Sequence, residues 1–432
     1  MTTRLARASV AARPSVFGGV FAALTLSAAV VTASVGVLIS SEVAPASARR
    51  TELSAMGLVF TLVTVYLSIF VIAQVMALAV AQRAPETALL RAVGASPGQV
   101  RRMVAAEALL TALPALPVGC LIGWGLADAW WNGMAAHDMT PPGAGLSMGV
   151  VPLLASAGVL LVTSQLGGLL AGLRAARSRP AAVLGEARAP GGGGTVVRLL
   201  LAAVAVAGGI AITLASLAGP TAEAGEKIPL ILICYLVAVG LAGPVIGRVA
   251  SLLLRLPLRI LGGGVGELAA ANGRARSRRL SSAITPVALL VGFSLVKFAA
   301  LAGQPRIAWI DVFGTGLYAV FAALVVANTM VMLTAERRRE IALLRAVGAG
   351  AGQVVRMVLL EGLIVEAAGF GAGLLMTFAV MLPLGPVAGS MSALPSTAWA
   401  GTVSGVVVVV LGASAAPLVL SLRRVEGRPQ LP

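Results

Sequence analysis

One stretch of this chain occurs twice, 254 residues apart. Residues 81–110 (AQRAPETALLRAVGASPGQVRRMVAAEALL) lie over residues 335–364 (AERRREIALLRAVGAGAGQVVRMVLLEGLI), and 19 of the 30 aligned positions are identical. The shared residues include Arg83/Arg337, Glu86/Glu340, the run ALLRAVGA, Gly98-Gln99-Val100/Gly352-Gln353-Val354 and Glu107/Glu361. Each copy begins where an apolar run ends in a charged cluster and finishes inside a new apolar run. Such a chain must fold as two related units, each with a polar elbow between hydrophobic segments.

Composition decides the solvent around those segments. With 58% hydrophobic residues, 11% charged residues and a mean hydropathy of +0.97, the chain reads as an all-α integral membrane protein. Ten apolar stretches are long enough to span a bilayer, near residues 16–39, 57–81, 103–127, 148–173, 197–218, 228–249, 281–301, 309–334, 354–384 and 397–420. The first exceeds the roughly 7–15 residues of a signal-peptide core and is counted as a span. The net charge of +16 does not point to nucleic acid, because the basic residues form no single tract and aromatics are 4% of the chain. Cys120 and Cys234 fall in apolar segments without metal-ligand spacing, which argues against a zinc site or a disulfide.

Basic residues orient the spans, since cytoplasmic loops keep positive charge. With the N-terminus inside and the sides alternated, 27 of the 32 basic residues fall inside; only Arg49, Arg50, Lys227 and Arg306 fall outside, and Lys297 lies within a span. Both termini and both elbows are therefore predicted to be cytoplasmic. Six spans separate the elbows, so the repeat is parallel. The predicted layout is a four-span unit in residues 1–173, a middle region 174–280, and a second four-span unit in 281–432. The middle region holds a flexible linker at 178–195, a two-span insert and a basic amphipathic segment from Ala250 to Arg279. Leu5-Ala6-Arg7-Ala8 resembles Leu268-Ala269-Ala270-Ala271, in front of the first and seventh spans. Spans one and two are joined by only Ser40 to Met56, which leaves no room for a large extracellular domain; the largest outer loops are predicted at Asp128–Ser147, with Trp130, Trp131 and His137, and at Leu384–Thr397.

Within each elbow, Glu86, Leu89, Leu90 and Val93 recur at helical spacing, with Arg83 and Arg91 on the polar flank. Gly94 and Gly348 follow as C-terminal stops, and Ser96-Pro97 starts the next helix as a cap followed by proline. Arginines meeting lipid phosphates would account for a basic loop, but not for the same side chains in the same order twice. A protein-docking surface accounts for both.

The pattern R-x-x-E-x-A-L-L-R-A-V-G-A, followed by G-Q-V and an apolar helix near a glutamate, closely resembles the cytoplasmic elbow of FtsX-like permeases. These are the membrane subunits of the MacB-type (mechanotransmission, type VII) class of ABC transporters. The resemblance implies that Arg83–Val93 and Arg337–Val347 are coupling helices seated in a separate cytoplasmic ATPase. Arg83, Glu86, Arg91, Arg337, Glu340 and Arg345 would then lie at or beside the ATPase contact, Gly94 and Gly348 would set the coupling, and the two elbows would address the two subunits of an ATPase dimer. The first copy departs at Ala84-Pro85, where the second has Arg338-Arg339, and the proline is expected to start its helix a residue later. Many relatives carry a large extracellular domain between the first two spans of a unit, and this sequence has no room for one. Two such units joined by two extra spans is a layout of bacterial, notably actinobacterial, permeases, which implies the bacterial plasma membrane; the Ala-, Gly- and Arg-rich composition agrees with a high-GC bacterium.

The motif G-x-x-x-x-G-K-[ST] is absent, and neither Gly191–Gly194 nor Gly262–Gly264 is followed by the lysine a phosphate-binding loop needs. No catalytic constellation is present, so no enzyme activity and no bound cofactor are expected; ATP and Mg belong to the partner. Among polar residues within spans, Gln74 and Asn328 stand at equivalent positions and read as an inter-helix hydrogen bond or as a substrate lining. Glu107 and Glu361 read as clasps with Arg102 and Arg356 that relay elbow motion, or as substrate contacts; Lys297 reads as snorkelling outward or pairing with Asp311. The functional expectation is the permease subunit of an ABC transporter with an unknown, amphiphilic or lipid-like substrate. The alternative is an ATPase-coupled membrane sensor that moves no cargo. An ion-driven carrier is disfavoured by the parallel repeat and the scarcity of midplane acids.

Overall fold

The computed structural model describes residues 14–82, 84–177, 193–218, 221–275, 277–302, 309–336, 338–381, 401, 403–405 and 407–413. All regular structure among these residues is helical. In chain order the helices are α1 (Pro14–Val43), α2 (Ala48–Gln82), α3 (Ala84–Ala92), α4 (Pro97–Ala136), α5 (Val150–Arg177), α6 (Gly193–Ala218), α7 (Thr221–Leu253), α8 (Arg255–Gly262), α9 (Gly264–Ala275), α10 (Ser277–Ala302), α11 (Trp309–Glu336), α12 (Arg338–Ala346) and α13 (Ala351–Met381).

Eight of these, α1, α2, α4, α5, α6, α7, α11 and α13, are long and apolar enough to cross a membrane, and α9 with α10 makes up to nine as a pair bent by 94°. A shorter apolar helix occupies Val403–Ala413. The chain is thus a multi-pass membrane protein, as apolar segments in lipid must satisfy their backbone groups internally. Only Ala44–Ser47 separate α1 from α2. The outer loop expected from Asp128 is instead helical as far as Ala136, because Trp130 and Trp131 are buried rather than presented to the interface. Trp130 is 1% exposed and meets Phe60 edge-on at 5.3 Å.

By contacts, residues 1–190 with 308–314 form one compact unit, and 191–307 with 315–432 form another. In the first unit α1 is the central helix, packed by α2, α4 and α5. It is apolar on nearly every side, as a helix surrounded by others must be. Small polar groups tie it in place: Thr32 Oγ1 and Ser156 Oγ lie 2.6 Å apart, both buried. In the second unit α10 plays this part, with Ala283, Ile284, Val287, Leu290, Val291 and Leu295 buried against α11, α13 and Val410.

The same crossing organises both units. A Cβ on Gly119 of α4 would lie 2.5 Å from Ala28 Cβ and 2.6 Å from the Thr25 carbonyl oxygen of α1. One on Gly373 of α13 would lie 2.7 Å from the Ala288 carbonyl oxygen and 2.8 Å from Val291 Cβ of α10. Thr25 and Ala28 correspond to Ala288 and Val291 in the register that aligns Leu5–Ala8 with Leu268–Ala271. The two backbones approach because neither glycine has a side chain, a device suited to lipid, where apolar burial does not favour helix association.

The two inserted helices belong to the second unit. α6 packs on α7, where Gly209 faces the Tyr235 ring, and α7 packs on α10 and α13. Gly243 receives Ser281 of α10, its absent Cβ only 2.7 Å from the Ser281 Cβ.

Gly119→Val and Gly373→Val should each force their helix pair apart, at a cost of about 1–3 kcal/mol. Thermal unfolding of the purified protein should show both variants melting several degrees below wild type. Gly125→Val, where an added Cβ meets nothing within 4 Å, should melt with wild type.

Candidate functional site

The elbows are built alike down to individual hydrogen bonds. α3 and α12 span equivalent residues of the repeat, so Pro85 does not shorten its helix. It lies in the first turn, where the amide proton that proline lacks has no helical acceptor to reach. At the other end the Ala95 N–H donates to the Leu90 carbonyl at 2.9 Å and Gly94 N–H to Arg91 at 3.1 Å; Ala349 donates to Leu344 at 2.9 Å and Gly348 to Arg345 at 3.0 Å. This is a Schellman stop, with Gly94 at φ +104° and Gly348 at φ +100°. These left-handed angles explain the glycines that the sequence marks as stops.

The next helix starts three residues after each glycine, at Pro97 and at Ala351. Ser96 Oγ accepts from the Gln99 N–H and Gln99 Oε1 accepts from the Ser96 N–H at 2.9 Å, a complete capping box, with Pro97 as the first helical residue. In the second copy Gly350 offers no hydroxyl, yet Gln353 Oε1 accepts from its N–H at 3.0 Å. The repeated glutamine is therefore a capping residue. Its signal, a serine followed three residues later by glutamine, is legible in the first copy.

Among the described side chains of the elbow helices, Thr87 in the first and Ile341 in the second are buried. Ile341 packs with Leu344 against Val265 and Ala269 of α9 and Val354, Met357 and Val358 of α13. The rest of the apolar stripe faces outward: Val93 and Val347 are each 89% exposed, and Leu89 and Leu343 are exposed beside them. The two copies thus expose the same apolar pair, Leu89 with Val93 and Leu343 with Val347. Glu86 and Glu340 sit in the first turn of their helices and Arg91 and Arg345 in the last, all half-buried. These positions complement the helix dipole, so the charges stabilise the elbow as well as decorating it.

Above the elbows, Glu107 and Glu361 are both buried. Glu361 Oε1 accepts from Asn272 Nδ2 of α9 at 3.0 Å, and Arg356 donates to the Leu261 carbonyl. Glu107 lines a small, otherwise mostly apolar cavity with Phe17, Val20, Met76, Ala79 and Val104, while Arg102 is exposed. Gln74 on α2 and Asn328 on α11 are each half-buried. Arg83, Arg337 and the side chain of Lys297 lie outside the described residues, as do the linker residues 178–192 and the loop 384–397.

Two residues that sequence reasoning passed over stand out. Asn272 is the polar tether just described. Glu366 is 8% exposed in the middle of α13, and its Oε2 makes no hydrogen bond; Ala112 holds the equivalent place in the first copy. Scanning each span for lone acids would have found it. Among the described residues no group of three or more His, Cys, Asp or Glu side chains could hold a metal ion, and Cys120 and Cys234 are free thiols.

Behind the second elbow, α8 and α9 are clasped by Arg255 Nη2 and Glu267 Oε1 at 2.9 Å. The Arg255 hydrogen bond, helped by the charges of Arg259, Arg255 and Arg274, holds the Glu267 carboxyl below its usual pKa.

A family model described as FtsX-like permease C-terminal matches this chain twice, over residues 58–180 and 312–426, together more than half its length. Each match contains one elbow. No curated protein matches the chain.

Gly94→Ala and Gly348→Ala should each cost about 1–2 kcal/mol by forcing a Cβ into the left-handed region. Hydrogen exchange should then speed up at Ala95 or Ala349, whose amides close the stop. The clasp has a pH sign: a carboxyl with a depressed folded pKa adds stability above its unfolded pKa and loses it as pH falls through the folded value. Exchange at α8 and α9 amides should therefore rise as pH is lowered through the acidic carboxylate range, after correction for intrinsic rates, and Arg255→Gln, which leaves only the charges of Arg259 and Arg274, should weaken that pH dependence.

Proposed function

The chain belongs to the FtsX-like permease family of ABC transporter-type membrane permease subunits, and from that premise we propose that its two elbows receive a cytoplasmic ATPase dimer, one subunit each. The observation that carries this reading is the matched exterior of α3 and α12: the same exposed leucine and valine, the same dipole-complementing charges and the same glycine stop. A partner that is itself a dimer of identical subunits would meet equivalent surfaces. Arg83, Glu86, Arg91 and Gly94, with Arg337, Glu340, Arg345 and Gly348, form or border the contact in this reading. Family members are permease components rather than enzymes, and we assign ATP and Mg to the partner.

Motion would pass from elbow to core by continuous helix. α4 rises from its cap at Ser96 to the crossing at Gly119, and α13 rises from Gly350 to the crossing at Gly373. A tilt of either elbow therefore levers the glycine contact with α1 or α10. We read ten spans, adding α10 and the helix at 403–413 to the eight above, in two four-span units (1–173 and 281–432) flanking the middle region 174–280. Both termini are cytoplasmic in this reading, the membrane is a bacterial plasma membrane, and no large outer domain is present. The short connection at Ala44–Ser47 supports the last point. A substrate taken from the bilayer itself, amphiphilic or lipid-like, suits a permease of this form.

The test is co-purification of the tagged full chain from its native membranes. Wild type should carry an ATPase with a phosphate-binding loop. Val93→Asp combined with Val347→Asp should reduce its recovery roughly thirty-fold or more, the scale of losing central interface contacts, with the permease still folded. Full retention of the ATPase and of stimulated ATP turnover would overturn the docking assignment. In vesicles, ATP turnover without redistribution of any labelled amphiphile would instead favour the sensor.

A further inference from the structure

The hairpin of α8 and α9 presents a surface that ATPase docking does not use. The turn between the helices places Gly263 at φ +58°. Leu258 is buried under it, and Gly266 lets α9 approach so closely that a Cβ there would overlap the Leu258 carbonyl. Three contacts fasten the hairpin to the base of α13: Asn272 to Glu361, Arg356 to the Leu261 carbonyl, and Gly262 against Leu360. A fourth contact, Val265 and Ala269 against Ile341 and Leu344, seats it behind the second elbow.

The orientation of the hairpin follows from the break after it. α9 meets α10 at 94°, so if α10 crosses the bilayer, α9 runs along its surface. α8 arrives directly from α7, whose span ends at Leu253. The outward side of α8 continues the exposed apolar side of that span: Leu252 and Leu253 are exposed at the end of α7, then Leu256 at 67% and Ile260 at 76%, one helical turn apart. Arg255 and Arg259 are exposed along one edge of this stripe. Between residues 248 and 279 the sequence holds seven arginines and a single acid, Glu267.

A helix with one side on protein, one apolar and open, and one lined with guanidinium groups matches the boundary between acyl chains and anionic headgroups. A soluble acidic partner would match the arginines, but it would leave the aliphatic stripe without a reason to join the lipid-facing side of α7. We propose that α8 and α9 form a binding surface for anionic phospholipid of the inner leaflet, with Leu256 and Ile260 among the acyl chains and Arg259, with Arg255, at the headgroups. Because Ala269 of α9 and Ile341 of the second elbow share one buried cluster with the base of α13, lipid held by α8 would bear on the support of that elbow. The inference goes beyond ATPase docking and needs no ATPase to be tested.

The experiment uses the full chain, with Cys120 and Cys234 replaced by serine and Ile260→Cys carrying an environment-sensitive fluorophore. It is reconstituted in vesicles of phosphatidylcholine alone or of equimolar phosphatidylcholine and phosphatidylglycerol, each with and without brominated acyl chains. Leu214→Cys, on the exposed side of α6, is the control for lipid contact and should be quenched in every brominated vesicle, neutral or anionic. The label at 260 should be blue-shifted and quenched in the anionic vesicles, and less so in the neutral ones. With the phosphatidylglycerol fraction titrated between these two compositions, Arg259→Gln should raise the fraction needed for the half-maximal shift about five-fold, the value of one arginine near an anionic surface; Arg259→Lys should restore it. Arg259 is the residue tested because Arg255 also clasps Glu267, and unchanged thermal unfolding certifies that the variants fold. Quenching that ignores phosphatidylglycerol and Arg259 would overturn the proposal, as would a label at 260 that reacts to neither vesicle while the control does. Protection of residue 260 only on adding cytosolic protein would also overturn it.

Discussion

Each unit rests on one close approach of two helix backbones. In lipid, burying aliphatic surface gains a helix pair little, since the alternative neighbour is equally apolar; van der Waals contact and inter-helix hydrogen bonds do the work instead. Gly119 and Gly373 provide that contact by having no side chain at the point where α4 crosses α1 and α13 crosses α10. Buried small polar groups such as Thr32 and Ser156 then lock the central helix in register. That both units place the contact on corresponding residues argues that the crossing, more than any single apolar residue, defines the fold of the repeat.

From this crossing the elbow follows. A helix anchored deep in the unit and continuous to the elbow is a stiff rod, and the cap at its foot decides where it stops. Gln99 and Gln353 close that foot in both copies, although only the first has the serine that completes the box. The elbow helices are short and are followed by left-handed glycines, so only four residues separate each from the next helix. Their outward valines sit at the tip of the reversal. An apolar residue exposed at such a tip in both copies has no role in packing its own unit, which is why a partner is the economical explanation.

The copies diverge around their foundations. Behind the second elbow, α8 and α9 fill the space next to Ile341 and tie down Glu361 through Asn272. At the equivalent depth of the first unit Glu107 borders a cavity. The inserted helices α6 and α7 add to the second unit, using the notch at Gly243. The two elbows thus share their outward surfaces and differ in what supports them.

The sequence by itself determined the class, the repeat and the two elbows with their glycine stops. All of these depend on local chemistry: the length of apolar runs, the recurrence of the same side chains, and the backbone freedom that a positive φ demands. It misjudged the stretch after Asp128, because whether two tryptophans face an interface or a core depends on partners far away in the chain. It was silent on the direction of the elbow's apolar stripe, on the tether from Asn272 to Glu361 and on the buried acid at Glu366. Only the tertiary structure decided these, because periodicity marks which residues share a face of a helix, while the neighbours that cover or uncover that face are brought there by the packing of the whole unit.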